Sequence, residues 1–130
     1  LDALVSYGTY FVPSGSDSMR REDVLSRLVD LIDERKRLRP ADSYVVNLLD
    51  GGVDAIGAKV REEALELIEA AGKQDADHTA HEAADLLFHV CVLLSHADVS
   101  FEKVLEVLEG RFGVSGLEEK ASRAAKQEKN

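Results

Sequence analysis

Cysteine occurs once in the 130 residues, so no disulfide can form within the chain, and nothing in the cysteine usage points to secretion. Tryptophan is absent and aromatics make up only 5% of the sequence, which leaves Leu, Val, Ile and Ala to build the core and suits helices. Basic patches are missing as well: no Lys/Arg-rich stretch interrupts a formal net charge of −9, so no nucleic-acid partner is expected. An acidic protein that handles polyanions needs cations as intermediaries. Apolar runs fall well short of the roughly 20 residues a membrane span requires, so no membrane partner is expected either. No signal peptide is evident. The expected compartment is the cytoplasm.

A chain of this length fits one domain, and its 45% hydrophobic content is ordinary for a globular core. Residues 1–18, "LDALVSYGTYFVPSGSDS", differ from the rest: they show no helical period and precede the first Met, Met19. They are expected to be a weakly ordered leader or sequence upstream of the natural start. Residues 19–130 are expected to form a single helical domain whose charged tail begins near residue 113.

Val24, Leu28, Leu31 and Ile32 recur at helical spacing, and Pro40 should close that first amphipathic helix. "SYVVNLLDGG" reads as a short helix or turn ended by Gly51 and Gly52. A second main helix is expected over about 53–71, with Gly72 as its C-cap, and a third over about 79–97, after the polar connection "KQDAD". Ser100 should cap a fourth, "FEKVLEVLEGRF". No strand alternation or internal repeat is visible. The fold class is therefore all-α: an antiparallel bundle of about four main helices.

Two acidic clusters lie within "KVREEALELIEAAGKQDADHTAHEAADLLFHV". At about 100° per residue, Ile56, Val60, Ala64, Leu67 and Ala71 form the apolar arc of the second helix, and Glu63 falls at its margin. Glu66 and Glu62 lie progressively further round, with Lys59 one turn earlier. In the third helix Leu86, Val90, Leu93 and Ala97 define the arc. Glu82 falls against it, His89 just beyond Glu82, and Asp85 beyond that. The run "DLLFHVCVLL" is apolar nearly all round, so this helix should be buried on more than one side, and a two-fold partner would cover it. Cys91 is read as an apolar filler within it.

Glu82 and Glu63 should thus face inward, where an isolated carboxylate is costly. Protonation, pairing with a cation or metal binding would each relieve that cost. Lys59 and Arg61 are the only local Lys or Arg candidates for pairing. Two acidic pairs at i,i+3 facing one core suggest a hard divalent cation, most simply Mg²⁺. Spacing alone leaves open a plain solvated face, more so for the first cluster than for the second.

"EEALE" followed by "EAAD" resembles the EExxE…ExxD signature of the MazG-like all-α nucleoside-triphosphate pyrophosphatases. Within that group the chain more closely resembles the phosphoribosyl-ATP pyrophosphatase family. The match rests on Ser43, Tyr44, Leu48, Gly52, Ile56, Lys59, Val60, Glu62, Glu63, Ala64 and Glu66, on "EAADLLFHVCVLL", and on "SGLEEKASR". It runs from about Arg39 to Arg123. Departures are Val45 in place of Thr, Arg61 in place of Gly, and a leader without counterpart.

The resemblance implies Mg²⁺-dependent hydrolysis of phosphoribosyl-ATP between its α- and β-phosphates, giving pyrophosphate and phosphoribosyl-AMP, the second step of histidine biosynthesis. It implies Glu63, Glu66, Glu82 and Asp85 as metal ligands, with Glu62 a further ligand or the carboxylate that orients the water. Glu62 and Glu63 are the expected catalytic residues. Lys59, then Lys120 and Arg123 of the tail, should hold the outer phosphates; Lys73 and Arg111 are weaker candidates. Ser43 and Tyr44 either touch substrate or, for Ser43, cap the short helix. His89 either supports Asp85 from behind or is a packed core histidine. A homodimer is implied. The alternative within the same fold is a pyrophosphatase acting on dCTP or a noncanonical triphosphate.

Overall fold

Helix propensity and capping explain most element boundaries. A computed structural model describes residues 19–113 and 123–124. A 3-10 turn at Arg21–Asp23 leads into α1 (Val24–Leu38); α2 (Tyr44–Gly72), α3 (Ala76–His96) and α4 (Phe101–Glu109) follow. Among the described residues there is no strand, and the all-α expectation is met. The leader 1–18 and Lys120 lie outside the described residues.

α1 stops where expected. Arg39 adopts a left-handed conformation (φ 50°) directly before Pro40, and its N–H closes on the Arg35 carbonyl. Ser43 then caps α2, its Oγ accepting the Val46 N–H at 3.3 Å. Gly52 breaks α2 at φ 69°, ψ −163°, a conformation essentially only glycine adopts. The two helical pieces expected on either side of Gly51-Gly52 are therefore both present. Gly51 is constrained too, since a Cβ there would lie 2.5 Å from the Ala55 Cβ.

Gly72 is not the cap. It is the last helical residue; Lys73 is the C-cap and Gln74 takes the left-handed position (φ 59°). Asp75 accepts the His78 N–H at 3.0 Å, so α3 begins three residues earlier than periodicity suggests. The link between α2 and α3 is only Lys73–Asp75, and so short a link folds α3 back along α2. Glu66 meets Glu82, Glu63 lies near Asp85, and Gly52 lies by the His96 ring. Each step up α2 is matched by one step down α3.

The chain divides into two compact units, Leu1–Val99 and Ser100–Asn130. In the first, α2 and α3 form the main packed pair and α1 lies chiefly against α3. Its buried apolar core is Ile32, Val45, Val46, Leu48, Leu49, Ile56, Ala70, Phe88, Cys91 and Val92. Cys91 is an apolar filler, its thiol pushed up to about 11 by burial and by Asp33. Val45, a departure from the family pattern, is one of these core residues. Lys36 ties α1 to the end of α3: its Nζ donates to the Ser95 carbonyl at 2.6 Å and to Asp98 Oδ1 at 2.7 Å. Ser95 Oγ donates to Asp33 Oδ1 at 2.9 Å. In the second unit, Ser100 caps α4 as expected, accepting the Lys103 N–H.

Two arcs differ from expectation. On α2 the buried positions after the kink are Ile56, Glu63 and Ala70, spaced by seven, while Ala71 is exposed. On α3 the buried set includes Glu82, Asp85, His89 and Val92, whereas Leu86, Val90 and Leu93 are half-buried and Ala97 is exposed. Hydrophobicity placed the arc on the leucines, but the tight α2–α3 contact turns the acidic stripe inward.

Candidate metal centre

The acidic stripes of α2 and α3 meet because the helices are antiparallel and the break at Gly52 lies outside the stretch that carries them. Glu63 is fully enclosed, at 0% exposure, in the middle of its stripe instead of at the margin. Glu82 is 3% exposed and Asp85 7%. One carboxylate oxygen from each of Glu63, Glu66 and Glu82 lies within 4.8 Å of the others.

Both Glu63 oxygens, Glu66 Oε2, Glu82 Oε2 and Asp85 Oδ2 are buried without a hydrogen-bond partner. Leaving a buried polar group unsatisfied costs about 1–3 kcal/mol, and more when it is charged. Burial, and then the neighbouring Glu66, push the Glu63 carboxyl from 4.5 up to about 8. Burial also raises Glu66 and Asp85. For Glu82 burial acts upward too, but the Glu66 and Glu63 carboxyls and the His78 imidazole outweigh it and hold the group low. Burial and crowding thus oppose ionisation at Glu63, Glu66 and Asp85, and Glu82 is the one of the four held low. Oxygen donors that are clustered, buried and largely without hydrogen-bond partners fit a hard divalent cation.

Two residues were missed in the sequence. His78 Nε2 stands 3.1 Å from Glu82 Oε1, and His81 Nε2 stands 3.5 Å from Asp85 Oδ2. Each histidine precedes its acid by four residues, so the signal was legible in "HTAHEAAD" as two i,i+4 pairs. Lys and Arg were counted there as pairing partners; histidine was not.

His89 is fully buried. It supports Asp85 through the main chain and not the carboxylate: its Nδ1–H donates to the Asp85 carbonyl at 2.7 Å. Its Nε2 accepts the Tyr44 hydroxyl at 2.8 Å. Burial holds the imidazole below its usual range, which favours this neutral tautomer. The Tyr44 hydroxyl is pushed up to about 12 by burial and by Glu63, Glu62 and Asp85, so it stays protonated.

Lys59 Nζ lies 3.3 Å from Glu62 Oε2, both side chains partly open to solvent. Arg61 is exposed, its guanidinium 3.9 Å from where a Cβ on Gly57 would lie, which places it back along the helix. Lys73 is exposed at the end of α2, about 10 Å further along the helix than Glu66. Arg111 and Arg123 are exposed residues of the second unit, Arg123 in helical conformation. Among the described residues no single helix is long and apolar enough to cross a membrane.

A family model described as phosphoribosyl-ATP pyrophosphohydrolase matches residues 25–112. The chain is 45% identical over 107 residues to a phosphoribosyl-ATP pyrophosphatase of Rhodopirellula baltica, covering 80% of this chain and 89% of that protein. It is 46% identical over 102 residues to the protein of that name in Neisseria gonorrhoeae, covering 78% and 95% respectively. The similarity to the Methylococcus capsulatus protein of that name is 46% over 101 residues, covering 78% and 96%.

Proposed function

The chain belongs to the phosphoribosyl-ATP pyrophosphohydrolase family, and on that premise we propose that it hydrolyses phosphoribosyl-ATP between the α- and β-phosphates. The products would be phosphoribosyl-AMP and pyrophosphate, and the reaction is the second step of histidine biosynthesis, carried out by a cytoplasmic homodimer dependent on Mg²⁺. The observation that carries this reading is the set of five buried carboxylate oxygens without hydrogen-bond partners on Glu63, Glu66, Glu82 and Asp85.

Those four residues would hold Mg²⁺. Bound there, the ion would neutralise phosphate charge and stabilise the departing pyrophosphate. The protein's own part is positioning. Glu63, enclosed at the centre of the α2 stripe, gives the cradle its fixed floor. Lys59 and Glu62 are paired across one turn at a partly open position. An arriving phosphate would compete for Lys59, and the released Glu62 would orient the attacking water and accept its proton. His78 and His81 stand at the solvent side and steady Glu82 and Asp85.

The homodimer is supported by apolar side chains that the single chain leaves open. Leu65 and Ile68 on α2 and Leu87 on α3 are all exposed, and Leu86, Val90 and Leu93 are only half-buried. A second copy would cover this surface. Sedimentation at micromolar concentration tests it; a monomer there rejects the dimer.

The test of the activity is pyrophosphate release from phosphoribosyl-ATP with and without Mg²⁺, run beside dCTP and other triphosphates. Release from phosphoribosyl-ATP that requires the metal is expected. Faster turnover of the other triphosphates would reject the substrate, and metal-independent release would reject the role of the carboxylates.

A further inference from the structure

The segment before Gly52 has a geometry that its own helix does not require. Gly52 lies by the His96 ring, and Tyr44 bonds to His89. The segment thus touches α3 at both of its ends. The segment from Tyr44 to Gly51 is set apart from the rest of α2 by a kink. The glycine-only conformation at Gly52 makes that kink. Ser43 caps the segment, and buried Val45, Val46, Leu48 and Leu49 fix it in place, so Tyr44 is presented from a rigid end.

What Tyr44 meets is a fully buried polar ring. His89 has both ring nitrogens satisfied, Nδ1 by the Asp85 carbonyl and Nε2 by the Tyr44 hydroxyl. A carbonyl oxygen can only accept, so Nδ1 carries the hydrogen and, in the neutral ring, Nε2 accepts from the tyrosine. The rings lock together: Tyr44 stacks on Phe88 with centroids 6.2 Å apart, and His89 meets Tyr44 and Phe88 edge-on at 5.8 and 5.3 Å. An aliphatic side chain would fill the same space. The polar pair adds direction, because it grips α3 at the residue that carries one of the cradle's acids.

We propose that Tyr44 and His89 form a positioning pair that sets the rotation of α3 at Asp85, so that Tyr44 acts through His89 on the metal cradle and not on the substrate. This rests on the reading of the four acids as a cation site. The chain of contacts runs from the Gly52 kink to Tyr44, to His89, to the Asp85 carbonyl, and so to the carboxylates of Asp85 and Glu82 on the same face.

The deciding variant is Tyr44→Phe in the full-length chain, which removes one oxygen and keeps the ring stack. Titration calorimetry with Mg²⁺ or Mn²⁺ alone should show cation affinity weakened by about 10-fold or more, the usual cost of losing a group that orients a ligand. With phosphoribosyl-ATP at a fixed, sub-saturating cation level, kcat should fall in step while KM changes less than about twofold. His89→Asn keeps a donor near the Nδ1 position and should retain more cation affinity than His89→Leu. The double variant Tyr44→Phe/His89→Leu should be no worse than His89→Leu alone, since the two act in series. A raised KM with unchanged cation affinity would assign Tyr44 to the substrate and overturn the inference. Unchanged values of both would reduce the pair to packing and overturn it as well. If the His89 variants do not fold, Tyr44→Phe decides alone. If the wild-type chain binds no divalent cation, the reading of the cradle fails and this inference with it; intact wild-type binding with an unaffected Tyr44→Phe variant overturns only the inference.

Discussion

α3 carries a polar cluster near each end, and the two are built on opposite plans. Near its C-terminus, Ser95 meets Asp33 and Lys36, and Lys36 also meets Asp98; donor answers acceptor and a cation sits beside an anion. Lys36 holds the Asp98 carboxyl below its usual range. Near its N-terminus, Glu82 and Asp85 meet Glu63 and Glu66; carboxyl faces carboxyl, and five oxygens have no hydrogen-bond partner. A cluster of the first kind joins helices. A cluster of the second kind costs stability unless a cation joins it, which is the mark of a binding site and not of a structural joint.

The contrast can be broken most sharply at Glu82. Glu82→Gln should lower kcat/KM by at least about 100-fold, more than outer partners of metal ligands usually cost, while circular dichroism shows the helices intact. Unchanged activity would move the cradle elsewhere. Next comes pH. Glu63 is raised on folding from 4.5 to about 8, so its contribution is fully present below pH 4.5 and lost as pH rises toward 8. The melting temperature of the cation-free chain should therefore fall across that window, by at most about 1.4 kcal/mol of stability per pH unit from this group. Mg²⁺ should oppose the fall, and Glu63→Gln should flatten it. A cation-free melting temperature that rises from pH 5 to 8 would contradict the buried, protonated carboxyl.

The opposite cluster should respond in the opposite way. Lys36→Ala should cost about 1 kcal/mol of stability through its lost hydrogen bonds and leave kcat and cation affinity unaltered. An effect on catalysis comparable to that on stability would mean the two ends of α3 are not independent. The smallest effect is expected at His78, half exposed beside Glu82. His78→Ala should weaken cation binding by about 10-fold or less, read by calorimetry, and barely move the melting temperature.

Much of this was open to a reader of the residues. The helical spacing, the Pro40 stop, the Ser100 cap and the break at Gly51-Gly52 all follow from local rules that the described chain obeys. The inward turn of Glu82 could be read from its angle to Leu93. Glu63 was harder: its position beside Ile56 suggested a margin, and packing against α3 made it the centre. Gly72 misled because glycine often ends helices, yet here Gln74 adopts the left-handed turn and Asp75 starts the next cap. His78 and His81 were in plain view at i,i+4 spacing. The bond between Tyr44 and His89 was not, because it joins residues 45 apart across a chain reversal.

The sequence by itself determined the helices, their caps, the residue types at the cradle and the family to which they belong, because each depends on neighbours within a few residues or on spacing along one helix. The tertiary structure alone decided which face of each helix is buried, that five carboxylate oxygens are left without hydrogen-bond partners, and that Tyr44 grips α3. Those outcomes depend on how two helices meet. Spacing along one helix records its own angles, whereas burial and orphaned oxygens are set by the helix on the other side.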